Sequence, residues 1–154
     1  MARRVIDGNH YMTLGTVEPS GAPRLSPVYY TPARHTAFYW VSSPEARHSR
    51  NLAERPEVRI VIFDSTAPIG EGEAVYLAAV ARAVPDDELE RVRGEAFRAT
   101  GGARAFAPEE LRAPALLRLY LATTTSCEVH VPGRHPRNAG GIDVRMPADP
   151  TRTA

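Results

Sequence analysis

The sequence predicts an α+β protein dominated by antiparallel β-structure, and three observations carry that prediction. Runs rich in β-branched and aromatic residues recur along the chain, most are separated by short turns bearing Gly or Pro, and two segments of helical periodicity interrupt them. Short connections favour antiparallel pairing, and the six or seven strands they join lose their exposed edges by curling into a small barrel. A chain of 154 residues suits one folding unit over 1–154, with a core over about 11–146 and flexible termini.

The elements follow in order. Tyr11 to Val17, YMTLGTV, is the first strand, EPSGAPR is a turn, and RLSPVYYTP is the hairpin partner. Pro27 inside that partner requires an edge position, a bulge, or a ladder interrupted beside a ligand. After the turn PARHT, the run AFYWV carries adjacent aromatics that must face opposite sides of a sheet, so both sides are partly covered. SSPEARHSRNLAERP then opens a helix. Ser42 or Ser43 caps it, Pro44 takes the first position, Glu45 completes a capping box with Ser42, and Pro56 lies past the end.

EVRIVIFD is the next strand, and STAPIGEGE is a loop. Ala74 to Val84 combines helix-favouring alanines with valines, strand length and flanking Gly72 and Pro85, and we assign it as a strand. Asp86 caps the helix DDELERVRGEAFRAT, which buries Leu89, Val92, Ala96 and Phe97 and ends at Gly101 and Gly102. APEELRAP is a short helical turn, LLRLYLAT and TSCEVHV are two strands, IDVRMP is a last short strand, and PADPTRTA is a frayed tail.

Composition narrows the chemistry. The formal net charge is +1, so no general attraction to nucleic acid or an anionic membrane is expected and any basic site must be local. All 19 positive residues are arginines, which removes Schiff-base and lysine-based catalysis. Cys127 is the only cysteine, which rules out an internal disulfide or a cysteine-held metal cluster and fits a reducing compartment. With neither a secretory leader pattern nor an apolar run of membrane-spanning length, the expected location is cytoplasmic. His10, His35 and His130 lack metal-ligand spacing and no Ser-His-Asp order stands out, so no metal and no catalytic residue is assigned.

One segment carries charge that its helix does not explain. Arg47, His48 and Arg50 lie at the start of the helix, where cations sit badly against the positive end of the dipole. Two readings are open: a solvated basic face, or an anion held by free N–H groups, hydroxyls and an arginine.

The order of strand, PRLSPVYY, FYWVSSPEARHSRNLAERPEVRIVI and a long strand entered from GEGE resembles the pyridoxamine 5′-phosphate oxidase-like, FMN-binding split β-barrel family over Tyr11 to Val131. The resemblance implies a split β-barrel with two or three peripheral helices. It further implies that Arg24, Leu25, Ser26 and Pro27 line the flavin ring and ribityl chain, and that Val41, Ser42 and Ser43 approach the ribityl or phosphate. Arg47 and His48 would grip the phosphate, Asn51 would support their turn, and Tyr76 would make a polar contact from the far side.

Two departures matter. His48 stands where the family often has lysine, and the GRHPRNAGGID segment lacks the family's pattern for vitamin B6 oxidation. Arg134, His135 and Arg137 in that segment form either a solvated loop or a contact to an acidic substrate. The implied activity is FMN-dependent hydride transfer between a reduced nicotinamide and a small substrate, in a homodimer. The alternatives are a deazaflavin cofactor, whose acidic tail would use Arg47 and Arg50, or a non-catalytic flavin- or haem-binding protein.

Overall fold

The computed structural model describes residues 1–98, 104–136, 138 and 140–152. Eight antiparallel strands form one curled sheet: β1 (Tyr11–Val17), β2 (Pro23–Tyr29), β3 (Thr31–Ala33), β4 (Ala37–Ser42), β5 (Glu57–Phe63), β6 (Ala74–Ala83), β7 (Arg118–Val131) and β8 (Val144–Pro147). Three helices pack around it, α1 (Ala2–Gly8), α2 (Arg47–Glu54) and α3 (Leu89–Ala96), together with a 3-10 turn over Pro108–Glu110.

The strand order is β2-β1-β5-β6-β7-β4-β3, with β8 paired to β7. Its two end strands, β2 and β3, are separated in sequence by Tyr30 alone. That adjacency is possible only because the sheet curls back on itself, which is the α+β, mainly β split barrel expected. Pro27 lies in the terminal strand β2, the edge position that its missing N–H demands.

The barrel interior buries Met12, Leu14, Phe38, Trp40, Ile60, Ile62, Val75 and Leu77. A second cluster forms outside the sheet, where Leu89, Val92 and Ala96 of α3 pack on Ala37, Tyr39 and Leu119. The alternation in β4 serves both, since Phe38 and Trp40 enter the barrel while Tyr39 joins the outer cluster.

Several boundaries differ from the sequence reading, each for a local reason. LLRLYLAT and TSCEVHV are one strand, β7, which borders β4 with its first half and β8 with its last residues. The register jumps from Ala79↔Thr124 to Ala78↔Ser126, so a bulge at Thr125 bends the strand without ending it. RLSPVYYTP breaks at Tyr30 into β2 and β3.

Neither expected helix start holds. α2 begins at Arg47 with Ala46 as N-cap and no side-chain cap. Ser43 Oγ instead accepts from the Glu45 N–H at 3.1 Å, closing a turn ahead of the helix, so Pro44 is outside it and the Ser42–Glu45 capping box does not form. α3 starts at Leu89 after Glu88, and Asp86 does not cap it. Gly101 and Gly102 lie outside the described residues.

The flanks are also more ordered than expected. α1 buries Val5 and Ile6, and the Tyr30 hydroxyl donates to the Ile6 carbonyl at 2.6 Å. The Ala148 N–H donates to the Cys127 carbonyl at 3.0 Å, tying part of the expected frayed tail to β7.

Candidate functional site

The site is built where α2 meets the β1–β2 hairpin. Asn51 and Thr16 are both buried, and Asn51 Nδ2 donates to Thr16 Oγ1 at 3.1 Å, locking α2 onto β1. Thr16 pairs in register with Arg24, so this bond also sets where Arg24 stands relative to the helix. Asn51 therefore works as a buried support.

Around that lock four predicted residues converge. Ser42 Oγ and His48 Nε2 are 2.9 Å apart, joining the end of β4 to the first turn of α2. Arg47 and Arg24 both turn to Glu18: Arg24 Nε forms a close ion pair with one carboxylate oxygen, and Arg47 Nε lies 3.7 Å from the other. Burial, with the nearby Arg24 guanidinium, holds the His48 imidazole below its ordinary pKa. It is neutral at pH 7 as a result. The free N–H groups of the first turn of α2 have no side-chain cap, and the turn itself contains no acidic residue. Two guanidiniums, an imidazole, a hydroxyl and uncapped helix N–H groups together form a donor set suited to a phosphate.

The remaining predicted residues are distributed differently. Register places Arg24 and Ser26 on the barrel face with Thr16 and Leu14, and Leu25 and Pro27 on the outward face with Gly15 and Thr13. One ligand meets both sets only by lying along the open edge of β2. Ser43 holds the turn before α2, and Arg50 is engaged by Glu45.

Val41 lines a cavity of about 380 Å³ beside the outer cluster, walled also by Tyr11, Tyr29, Tyr39, Phe97 and Leu119. Tyr76 does not join the cluster. It shares an outward row with Val61, Thr13 and Pro27, three strands or roughly 14 Å from Pro27. The Arg145 guanidinium covers its ring at 3.7 Å.

Sequence reasoning missed Glu18 and the aromatic cavity. Glu18 had one available signal, an acidic residue at the hairpin corner facing Arg24 across the turn. The cavity had none, because its walls come from β1, β2, β4, β7 and the α3 region. Trp40 proves to be a core residue, stacked on Tyr120 with centroids 5.4 Å apart. In the loop read as either solvated or in contact with an acidic substrate, Arg134 donates to the Gly70 carbonyl at 2.6 Å, and Arg137 lies outside the described residues. His35 pairs with Asp7 and His130 with Asp143. Among the described residues no group of three His, Cys, Asp or Glu is placed to hold a metal, and no helix is long and apolar enough to cross a membrane.

Comparison with known proteins agrees with this architecture. No curated protein matches the chain. Among solved structures, a haem-binding protein from Mycobacterium smegmatis superposes with a TM-score of 0.68 at 22% identity, covering 95% of this chain and 56% of its own. This chain thus spans little more than half of that protein's length. A haem storage protein from Vibrio cholerae gives 0.64 at 22% identity, covering 80% and 88% of the two chains. A Clostridium acetobutylicum protein of the pyridoxinephosphate oxidase family, related to general stress protein 26, gives 0.65 at 10% identity, covering 97% and 93%. These likenesses establish the shared fold. The family model for pyridoxamine 5′-phosphate oxidase matches residues 2–127, and with the split barrel and its strand order in place, the chain belongs to that family.

Proposed function

We propose that this chain, as one unit over 1–154, binds FMN and serves as an oxidoreductase passing a hydride between a reduced nicotinamide and a small substrate. The observation that carries this reading is the convergence of Arg24, Ser42, Arg47 and His48 on the uncapped first turn of α2. Arg24 and Arg47 would bond the phosphate, and His48 and Ser42 would add neutral hydrogen bonds beside it. Ser26, Leu25 and Pro27 would flank the ribityl chain and ring along the β2 edge, with Val41 on the opposite side. When bound, the isoalloxazine supplies the two-electron chemistry. The protein then has to hold, orient and shield it, and the aromatic cavity reached through Val41 and Tyr29 would seat the second reactant.

Arg50, which a deazaflavin tail would need, pairs with Glu45 in a solvent-exposed bridge that a bound anion can displace, so a deazaflavin is the second reading of the same site. The haem-binding neighbours make haem the natural competitor. The tyrosines on the walls of the aromatic cavity suit a haem iron as well as a flavin ring, so the chromophore's absorption spectrum decides between the two. A homodimer would complete the site, with the outward face of β1, β2 and β5 as its contact.

Purified protein from a flavin-replete host should be yellow and should bleach anaerobically with reduced nicotinamide. An absorption spectrum with a haem band instead would overturn the cofactor. Arg47→Ala should weaken FMN by about 1.5–3 kcal/mol in a fluorescence titration, the size of a lost charge-assisted bond. Unchanged affinity would remove Arg47 from the site.

A further inference from the structure

The phosphate cradle already contains a carboxylate. Glu18 lies at the corner of the β1–β2 hairpin, where its N–H donates to the Ala22 carbonyl at 2.8 Å and its own carbonyl accepts from the Gly21 N–H at 2.8 Å. The backbone there is fixed. The side chain is only 16% exposed and spans Arg24 on β2 and Arg47 on α2, one oxygen toward each. Because the Asn51–Thr16 bond separately holds α2 to β1, the hairpin does not need Glu18 to stay docked on the helix. The carboxylate can leave without undoing the fold.

Glu18 cancels one of the two guanidinium charges, and His48, held neutral, adds none. A phosphate dianion meeting this site would face repulsion from a carboxylate that also occupies the donors it needs. We propose that Glu18 is an internal counter-ion, which keeps Arg24 and Arg47 aligned in the free protein and must swing out when a ligand phosphate binds. It thereby sets the affinity of the site for phosphate-bearing ligands. This deepens the FMN reading and rests on its phosphate assignment.

The test compares wild type with Glu18→Gln and Glu18→Ala, using FMN, riboflavin and inorganic phosphate as probes. Gln keeps an oxygen for Arg24 and removes the charge, and Ala removes both. Glu18→Gln should bind FMN roughly tenfold more tightly while leaving riboflavin unchanged. Both variants should be protected from thermal unfolding at lower phosphate concentrations than wild type. FMN binding that is unchanged or weaker in both folded variants, with an unshifted phosphate response, would overturn the role of Glu18 and leave the flavin reading intact. A phosphate response that sharpens in the variants while FMN binds no better than riboflavin would do the reverse. Indifference of all three proteins to both phosphate and FMN would remove both.

Discussion

At the scale of single residues, His48 links the site to pH. Its folded pKa lies below the ordinary value near 6.5, chiefly because the ring is half-buried and secondarily because Arg24 is close. Between those two pKa values the unfolded chain binds more protons than the folded one, so stability rises with pH. The contribution of His48 is therefore complete above about pH 6.5 and is lost as pH falls toward the folded pKa. Urea unfolding of wild type and His48→Gln between pH 8 and pH 5 should show an acid-side loss of stability in wild type that the variant lacks. Parallel curves would mean that His48 is not held neutral by its surroundings. Much of this cluster was legible, because Ser42, Arg47 and His48 sit in one short segment whose charge contradicts its helix position. Glu18 was less so: its one mark is an acidic residue across the hairpin turn from Arg24, which looks like any solvated turn residue until Arg24 and Arg47 are seen to point at it.

At the scale of elements, legibility followed how much of an element's stability is local. β1, β5 and β6 carry period-2 burial within their own sequence, β4 carries adjacent aromatics buried on both faces, and all four were read closely. α1 was not. Its seven residues, ARRVIDG, are too few for periodicity and too short to persist alone. It is held from outside: Val5 and Ile6 enter the barrel core, Asn9 Nδ2 donates to the Val5 carbonyl at 2.8 Å, and His35 pairs with Asp7 at 2.9 Å.

Tyr30, the residue joining β2 to β3, closes the arrangement through its bond to Ile6, and burial raises its phenol pKa. Tyr30→Phe should cost about 1–2 kcal/mol in chemical denaturation, because it leaves the buried Ile6 carbonyl without its donor. Ile6→Ala should cost more, about 2–4 kcal/mol, by opening a cavity in the core. If both prove neutral, α1 is an appendage and not part of the barrel's closure. The starts of α2 and α3 were misread for a related reason. Ser43 and Asp86 are good caps by residue type, but turns before each helix, closed by Ala46 N–H to Ser43 O and Glu88 N–H to Pro85 O, shift the first helical residue onward.

At the scale of the whole molecule, the open face of the sheet decides what the chain does with itself. Leu25 is 71% exposed on the outward side of β2, and Tyr11 and Phe63 lie on the same face of β1 and β5. Gly15, paired with both Leu25 and Arg59, has no side chain, and a Cβ there would lie 3.6 Å from Leu25 and 3.2 Å from the Arg59 carbonyl. The row therefore runs from the exposed Leu25 across the bare Gly15 to the exposed Arg59. An apolar face of this kind is costly to leave in water, and a two-fold dimer would cover the same patch on both chains.

The proposed cofactor edge, with Leu25 and Pro27, borders this surface, so dimer formation and FMN binding should respond together. Leu25→Glu would place two carboxylates across the proposed two-fold contact while costing the single chain little, since the side chain is exposed there. Analytical ultracentrifugation should show a wild-type dimer dissociating to monomer in this variant, with native circular dichroism and weakened FMN binding. A variant that remains dimeric moves the contact to another face. A monomeric variant with full FMN affinity would show that one chain suffices for the site, and Tyr76, far from the phosphate cluster within its own chain, would then have no route to the flavin.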